Sequence, residues 1–467
     1  MLRIFGHYIS KYYLVLSVLE FFILCAAFLM GGYLRLENFI PLFQTTIMNA
    51  LGVLLSCYLF ALSVSVPMAS LGLYQRGLIF GVGILLRLFL SLIISVIIIS
   101  LLFYAFPSLY FGRGIIAFSL AFSFVGILMI RAGFYSVISK DMLNNQILVL
   151  GTGRCALNLQ ELEQQKGGFF KINKFIQMNA NEVLIKDVNI LPLSEDNIRT
   201  VVRENHIDEI VIALNEKRNI KMPMDALLDC RLQGVQIIDA LTFLEKETAR
   251  ILVDQVTPTW FVFSAGFKNT FALKKGKRLL DFIASSILLT VASPFFIIVP
   301  IALWIESRGK ADTFYSQQRM GLDNQIFRIY KFRSMFADAE KDGAQWAKKN
   351  DARITKVGKW IRKARIDELP QLWNVFKGDM SMVGPRPERP EFIKDLENEL
   401  PFYNVRHTVK PGLTGWAQLR YQYGTSVSDA KAKLEYDLYY VKNISLFLDL
   451  VIMLETVEVV LMGKGAH

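Results

Sequence analysis

Four apolar runs, at roughly 12–32, 45–66, 84–106 and 114–130, constrain this chain more than any other feature. Each approaches the ~20 residues that a helix needs to cross the ~30 Å hydrocarbon core of a bilayer. The cations around them are unevenly placed. Arg3, His7 and Lys11 precede the first run, Arg76 and Arg87 lie between the second and third, and Arg131 and Lys140 follow the fourth. Only Arg35 and Arg113 stand on the other side. The positive-inside rule then puts the N-terminus and residue 140 both in the cytoplasm. The first run has no small-x-small cleavage site close behind it, so it reads as an anchor rather than a signal peptide. Glu20 falls inside the first span, where an ionisable group is a functional candidate; a structural pair with Arg87 or a neighbouring helix is the expected role.

The rest of the chain must hold soluble structure. The 467 residues exceed one ordinary domain, and 20% of them are charged although 53% are hydrophobic. A net charge of +11 suits cytoplasmic loops and a surface facing anionic lipid. No nucleic-acid-binding motif accompanies it, which argues against nucleic acid as a partner. Cys25, Cys57, Cys155 and Cys230 are scattered, so neither a disulfide framework nor a zinc site is indicated.

A soluble region begins near residue 145. ILVLGTGRCALNL (147–159) reads as strand, tight glycine turn and helix. IDEIVIALN (207–215) and GVQIID (234–239) read as further buried strands, each preceded by a helical stretch, SEDNIRTVVREN and MDALLDCRLQ. Such alternation predicts a small parallel α/β domain. Gly151-Thr152-Gly153 starts a dinucleotide fingerprint, but Ala156 stands where a third glycine belongs. The acidic residue expected about 20 positions on is also missing, since FIQMN (175–179) offers only Gln177 and Asn179. The turn is therefore read as structural, or as the seat of a regulatory ligand, rather than as a nicotinamide site.

LLDFIASSILLTVASPFFIIVPIALW (279–304) is long enough to span, yet Ser293-Pro294 interrupts it. Proline removes a helical hydrogen bond and clashes with the preceding turn, and Ser293 can satisfy a freed carbonyl. Both flanks are cationic: KKGKR (274–278) before, Arg308 and Lys310 after. The expectation is a re-entrant helix that bends at Ser293-Pro294 and returns, with a kinked full span as the alternative.

The densest chemistry follows it, in KWIRKARIDELPQLWNVFKGDMSMVGPRPE (359–388). Val357, Trp360, Ile361 and Ala364 share one helical face, with Lys359, Arg362 and Lys363 off it. Leu369, Leu372, Trp373 and Phe376 repeat the pattern. Both segments read as interfacial helices with apolar faces in lipid. Asp367-Glu368 is an acid pair in this basic field. Cations keep a carboxylate ionised; an ionised Asp can attack phosphorus, and a neighbouring Glu can hold Mg²⁺. On its own such a pair is also compatible with a solvated salt-bridge surface. YKFRSM (330–335) adds Lys331 and Arg333, GPRPE (384–388) fixes Arg386 between prolines, and RHTVKPGLTGWAQ (406–418) adds Arg406 and Lys410. Repeated cations around one acid pair at a membrane surface suit a diphosphate substrate and a lipid-phosphate partner.

From Lys277 onward the chain resembles the bacterial sugar transferase family, the polyprenyl-phosphate phosphoglycosyl transferases. The residues that carry the resemblance are KR..D (277–281), SP (293–294), FYSQQRMGLDNQIFRIYKFRSM (314–335), DARITKVG (351–358), IDELPQLWNVFKGDMSMVGPRPE (366–388), KPGLTGWAQ (410–418) and KLEYDLYYVKN.SLFLD (433–449). The four spans and the degenerate α/β domain resemble the long, exopolysaccharide-initiating branch. The resemblance implies transfer of a sugar-1-phosphate from a UDP-sugar, glucose or galactose, to undecaprenyl phosphate. UMP is released, Mg²⁺ is used, and the enzyme passes through a covalent phosphosugar state. It makes Asp367 the nucleophile and Glu368 a metal ligand. Lys331, Arg333, Arg362 and Arg386 become phosphate contacts, and Ser293-Pro294 the break of the re-entrant helix. It also implies a homodimer in the bacterial inner membrane with cytoplasmic soluble domains. The expected organisation is a four-helix transmembrane bundle (1–140), a degenerate Rossmann-like α/β domain (145–245), a linker (246–273) and a membrane-associated catalytic domain (274–467). A membrane-anchored nucleotide-sugar dehydratase or epimerase would instead need an intact nicotinamide site and a Tyr-x-x-x-Lys pair, which the α/β domain lacks. A non-catalytic scaffold for polysaccharide assembly would be indifferent to Asp367→Asn.

Overall fold

A computed structural model describes the chain except for residues 1, 5–6, 10, 36–46, 75–80, 108–111, 138–143, 167–169, 179–182, 186–188, 215–221, 268–269, 337–338, 340–350, 422–425 and 462–467. Arg76, Lys140 and Asn179, used above, lie outside the described residues. Two compact units result: Met1–Ile130 together with Thr259–His467, and Arg131–Pro258.

The four apolar runs form the helices Lys11–Arg35, Ile47–Ser70, Val82–Ala105 and Arg113–Val137. All four are long and apolar enough to cross a membrane. A short antiparallel hairpin, Leu2–Ile4 with His7–Ile9, precedes them. Hydroxyl groups inside the helices are satisfied locally, as an apolar solvent requires: Ser91, Ser95, Ser119 and Ser123 each donate to the carbonyl four residues back. Gly31 lets two helices meet, because a Cβ there would overlap Ser119 Oγ and the Ile115 carbonyl. Two charges differ from expectation. Arg131 lies within the fourth helix and is fully buried rather than in a loop. Arg87 reaches Glu458 Oε1 at 3.0 Å and the Leu71 carbonyl at 2.6 Å, so its partner is not Glu20, which is itself fully buried.

Glu458 belongs to the C-terminal helix Leu446–Leu461, which packs against the Ile47–Ser70 helix. The pair ties the bundle to the C-terminal region inside one unit, with 16% of the Arg87 side chain and 5% of the Glu458 side chain exposed. Arg87→Ala is expected to lower stability by about 3–5 kcal/mol, because it strands a buried carboxylate. Adding Glu458→Gln should recover part of the loss, read as thermal unfolding in detergent.

The second unit is an all-parallel five-stranded sheet in the order Ile190–Pro192, Phe170–Gln177, Asn145–Leu150, Glu209–Ile212, Gln236–Asp239. Ile147, Val149 and Val211 point into one apolar layer and Leu148, Leu150 and Ile210 into another, so both faces are covered. Gly151, at φ +123°, holds the first strand's end against the fourth: a Cβ would overlap the Ala213 carbonyl. Ala156 is buried in the core at the third-glycine position. The unit runs past the expected boundary at residue 245. The helix Ala240–Thr248 crosses it, and Ile251, Val253 and Val256 are buried behind. These apolar residues are too sparse in sequence to announce a strand or helix, so they read as linker.

In the C-terminal region the helix Phe271–Ala292 starts at the Thr270 cap, so KKGKR lies inside its first turns rather than ahead of it. It meets the helix Phe295–Glu306 at a 54° bend. Ser293 Oγ donates to the Thr290 carbonyl at 2.8 Å, covering an acceptor that the break frees. Leu279, Ile283, Ile287, Ile297, Ile301 and Ile305 are exposed along the two helices. On the inner side Lys277, Asp281 and Ser285, spaced by four, are buried. Lys277 Nζ bonds Asp449 Oδ2 at 2.7 Å, the Val383 carbonyl at 2.9 Å and Tyr440 Oη at 3.0 Å. Asp281 Oδ1 accepts from Met382 N at 2.8 Å and Ser381 Oγ at 3.0 Å. The broken helix is thereby fastened to the strand Ser381–Val383, which pairs in parallel with Gly412–Thr414.

Candidate active site

The acid pair sits where three local structures converge. The helix Lys356–Lys363 ends, Arg365 takes the left-handed conformation at φ +58°, and Asp367 and Glu368 follow in the single 3₁₀ turn Ile366–Glu368. Pro370 then opens the helix Gln371–Lys377. The face expected to lie in lipid is divided. Ile361 packs with Val299, Leu303 and Phe332 in a small core, and Leu372 is likewise buried. Trp360 and Trp373 are 75% and 50% exposed. Periodicity marks an apolar face but cannot say whether protein or lipid covers it.

Lys331 arrives on the antiparallel hairpin Phe314–Met320 with Ile326–Phe332. Asn374, fully buried, fixes that strand to the Gln371–Lys377 helix: its Nδ2 donates to the Arg328 carbonyl at 2.8 Å and its Oδ1 accepts from Tyr330 N at 3.2 Å. Arg386 arrives on the Gly384-Pro385-Arg386-Pro387 loop, whose glycine lies so close to Gly412 that a Cβ on either would overlap backbone. Lys331 Nζ at 3.1 Å and Arg386 Nη2 at 2.8 Å both donate to Glu368 Oε1. Burial alone would raise the Glu368 carboxyl. Arg386, then Lys331 and Arg365, outweigh it and hold the group well below the usual carboxylate range.

Asp367 behaves differently. Burial first, and the Glu368 charge second, push its carboxyl up to about 6 against the pull of Lys331, Arg362 and Arg365. The basic field therefore does not by itself keep Asp367 fully ionised, contrary to the sequence expectation. Two adjacent carboxyls, one firmly anionic and one near neutrality, are a common division of labour in catalysis.

The structure thus gathers Lys331, Asp367, Glu368 and Arg386, with Arg362 close enough for its charge to act on Asp367. Arg333 is engaged elsewhere, donating from Nε to the Asp312 carbonyl at 2.7 Å. Lys410 donates to the Gly378 carbonyl at 2.6 Å, and Arg406 is buried, so neither serves as the open phosphate cation that its sequence context suggested. Among the described residues no three His, Cys, Asp or Glu side chains gather as a metal cage. The donor set at the pair nonetheless fits Mg²⁺, which takes one or two carboxylates and completes its shell from substrate phosphates and water.

Arg365 was missed as a site residue, although its charge acts on both carboxyls. The readable signal was its place two residues ahead of the pair. Arg365→Gly suits the left-handed backbone and removes the cation. The expected result is that the acid limb of the activity–pH profile moves to higher pH, since loss of a positive charge disfavours ionised Asp367.

Compared with known proteins, residues 272–463 match the family model described as bacterial sugar transferase, and residues 69–235 one described as a CoA-binding domain. The UDP-N-acetylgalactosamine-undecaprenyl-phosphate N-acetylgalactosaminephosphotransferase of Aeromonas hydrophila is 47% identical over 191 residues, 41% of this chain and 45% of that protein. The UDP-glucose:undecaprenyl-phosphate glucose-1-phosphate transferase of Klebsiella pneumoniae is 35% identical over 271 residues, 57% of each chain. The protein of the same name from Caulobacter vibrioides is 37% identical over 193 residues, 41% of this chain and 72% of that one. This chain spans about half the length of the first two relatives.

Proposed function

Because the chain belongs to the bacterial sugar transferase family, we propose that it moves a sugar-1-phosphate from a UDP-sugar to undecaprenyl phosphate and releases UMP, starting a surface polysaccharide. The observation that carries this reading is the Asp367-Glu368 pair, with Asp367 buried and Glu368 half-buried. Lys331 and Arg386 meet on one oxygen of that pair, and the same unit presents exposed apolar helices. The names of the relatives supply the two substrates, a UDP-sugar and undecaprenyl phosphate.

In the proposed reaction an Asp367 oxygen attacks the sugar-bearing β-phosphorus. The new bond is Asp367 O–P; the bond that breaks joins that phosphorus to the bridging oxygen, which leaves with UMP. An oxygen of undecaprenyl phosphate then attacks the same phosphorus and displaces the Asp367 carboxylate. Two displacements let two anionic substrates meet the enzyme one at a time. Arg386, Lys331 and Arg362 hold phosphate oxygens, and Glu368 orders the two cations that bond it. Mg²⁺, held by Glu368, would neutralise charge on the diphosphate when bound.

The broken helix is read as re-entrant, entering one leaflet from the cytoplasmic side and bending at Ser293-Pro294. Cysteines placed at 276 and 309 should both resist an impermeant thiol reagent in intact cells; labelling of one alone would make the segment a true span. The protein is read as an inner-membrane homodimer, which light scattering in detergent tests. The experiment that tests the function is UMP release from UDP-glucose, UDP-galactose, UDP-N-acetylglucosamine and UDP-N-acetylgalactosamine, with and without undecaprenyl phosphate. Stoichiometric UMP without lipid and catalytic UMP with it are expected from one of these sugars. No UMP from any of them would sink the proposal.

A further inference from the structure

Arg406 was read from sequence as one more phosphate-binding cation, and the structure gives it other work. It is buried, on the 3₁₀ segment Tyr403–Thr408, with 5% of the residue exposed. Its Nη1 donates to Tyr403 Oη at 2.6 Å, and its Nη2 donates to the Arg386 carbonyl at 2.9 Å. The same nitrogen lies 2.8 Å from Asp437 Oδ2, on the helix Val427–Lys442, where Asp437 is also buried. The carbonyls flanking this stretch are held by backbone donors: Gly412 N donates to the Pro385 carbonyl at 2.9 Å, and Met320 N to the Glu388 carbonyl at 2.9 Å.

We propose that Arg406 is the positioning residue for Arg386: anchored by Asp437 and Tyr403, it fixes the Arg386 backbone so that the guanidinium reaches the Glu368 carboxylate and the substrate phosphate. A buried, always charged fork suits this, because it hydrogen-bonds two oxygens in fixed directions while its charge pairs with the Asp437 carboxylate, where a lysine presents one point charge. The path is short. Asp437 and Tyr403 set Arg406, Arg406 sets the Arg386 carbonyl, and Arg386 Nη2 reaches Glu368 Oε1 at 2.8 Å. Prolines on both sides of Arg386 leave its backbone few alternatives, so a displaced carbonyl displaces the whole residue.

The inference rests on the proposed transfer reaction, and its test can fail separately. The full chain in nanodiscs is assayed for UMP release with the UDP-sugar that the wild type turns over. Arg406→Lys should lower kcat/KM about ten-fold or more, and Tyr403→Phe and Asp437→Asn should each lower it by a smaller factor. In an Arg386→Ala background, Arg406→Lys should cost less than about two-fold further, because the side chain it positions is gone. A cost that simply adds to that of Arg386→Ala would overturn the inference. So would wild-type kcat/KM in folded Tyr403→Phe and Asp437→Asn, even if Arg406→Lys fails to fold, since the cluster would then serve stability alone. If the wild type releases no UMP, the proposed reaction fails and takes this inference with it; failure in the variants alone leaves the reaction standing.

Discussion

Asp367→Asn is expected to abolish turnover, by at least about a thousand-fold, while leaving the protein folded. The amide keeps the shape of the side chain and removes the nucleophilic oxygen. The UMP formed by wild-type enzyme without lipid, one equivalent per site, should vanish with it, together with any phosphosugar adduct on the peptide holding Asp367. The pH profile provides an independent check. Burial and the Glu368 charge put the Asp367 carboxyl at about 6. Below that pH it is protonated and cannot attack, so activity should rise with a single-proton slope through pH 6 and then level off. Glu368 stays ionised across the same range, because Arg386 and Lys331 hold its carboxyl far down. A rate unchanged between pH 5 and 8, or UMP released only when both substrates are present with no adduct trapped, would make Asp367 a general base for direct transfer instead.

Lys277→Met is expected to lower stability by about 3–5 kcal/mol, although Lys277 lies in no catalytic contact. Its ammonium is the salt-bridge partner of Asp449, whose side chain is fully buried, and it donates to the Val383 carbonyl at 2.9 Å. Methionine fills much the same volume and leaves Asp449 with Tyr440, which donates to its Oδ1 at 2.7 Å. Thermal unfolding in detergent should show the loss, and Lys277→Met with Asp449→Leu should regain part of it by removing the stranded charge. Activity of the folded fraction should fall as well, since Val383 leads into Gly384-Pro385-Arg386. A melting temperature equal to wild type would show that the network does not fasten the broken helix.

The sequence by itself determined the four long helices, the parallel α/β unit and the break at Ser293-Pro294. Each is written in local terms: an uninterrupted apolar run, alternating strand and helix patterns, a proline that cannot donate. It also marked Asp367, Glu368, Lys331 and Arg386, because acid and cations stand in short stiff motifs. Only the tertiary structure decided which cations face the acid pair. Lys331 and Arg386 come to Glu368 from a hairpin and a loop far apart in the chain, whereas Arg333, Arg406 and Lys410, equally basic in sequence, are engaged elsewhere: Arg333 and Lys410 on backbone carbonyls, Arg406 on the Arg386 carbonyl, Tyr403 and Asp437. It likewise decided that Arg87 pairs with Glu458 rather than with Glu20, and that Ile361 and Leu372 are core rather than lipid-facing. The physical reason is common to all of these. A side chain's charge and apolarity are local properties, but its partner and its desolvation depend on which distant segments fold against it, and those two quantities set the Asp367 and Glu368 carboxyls apart.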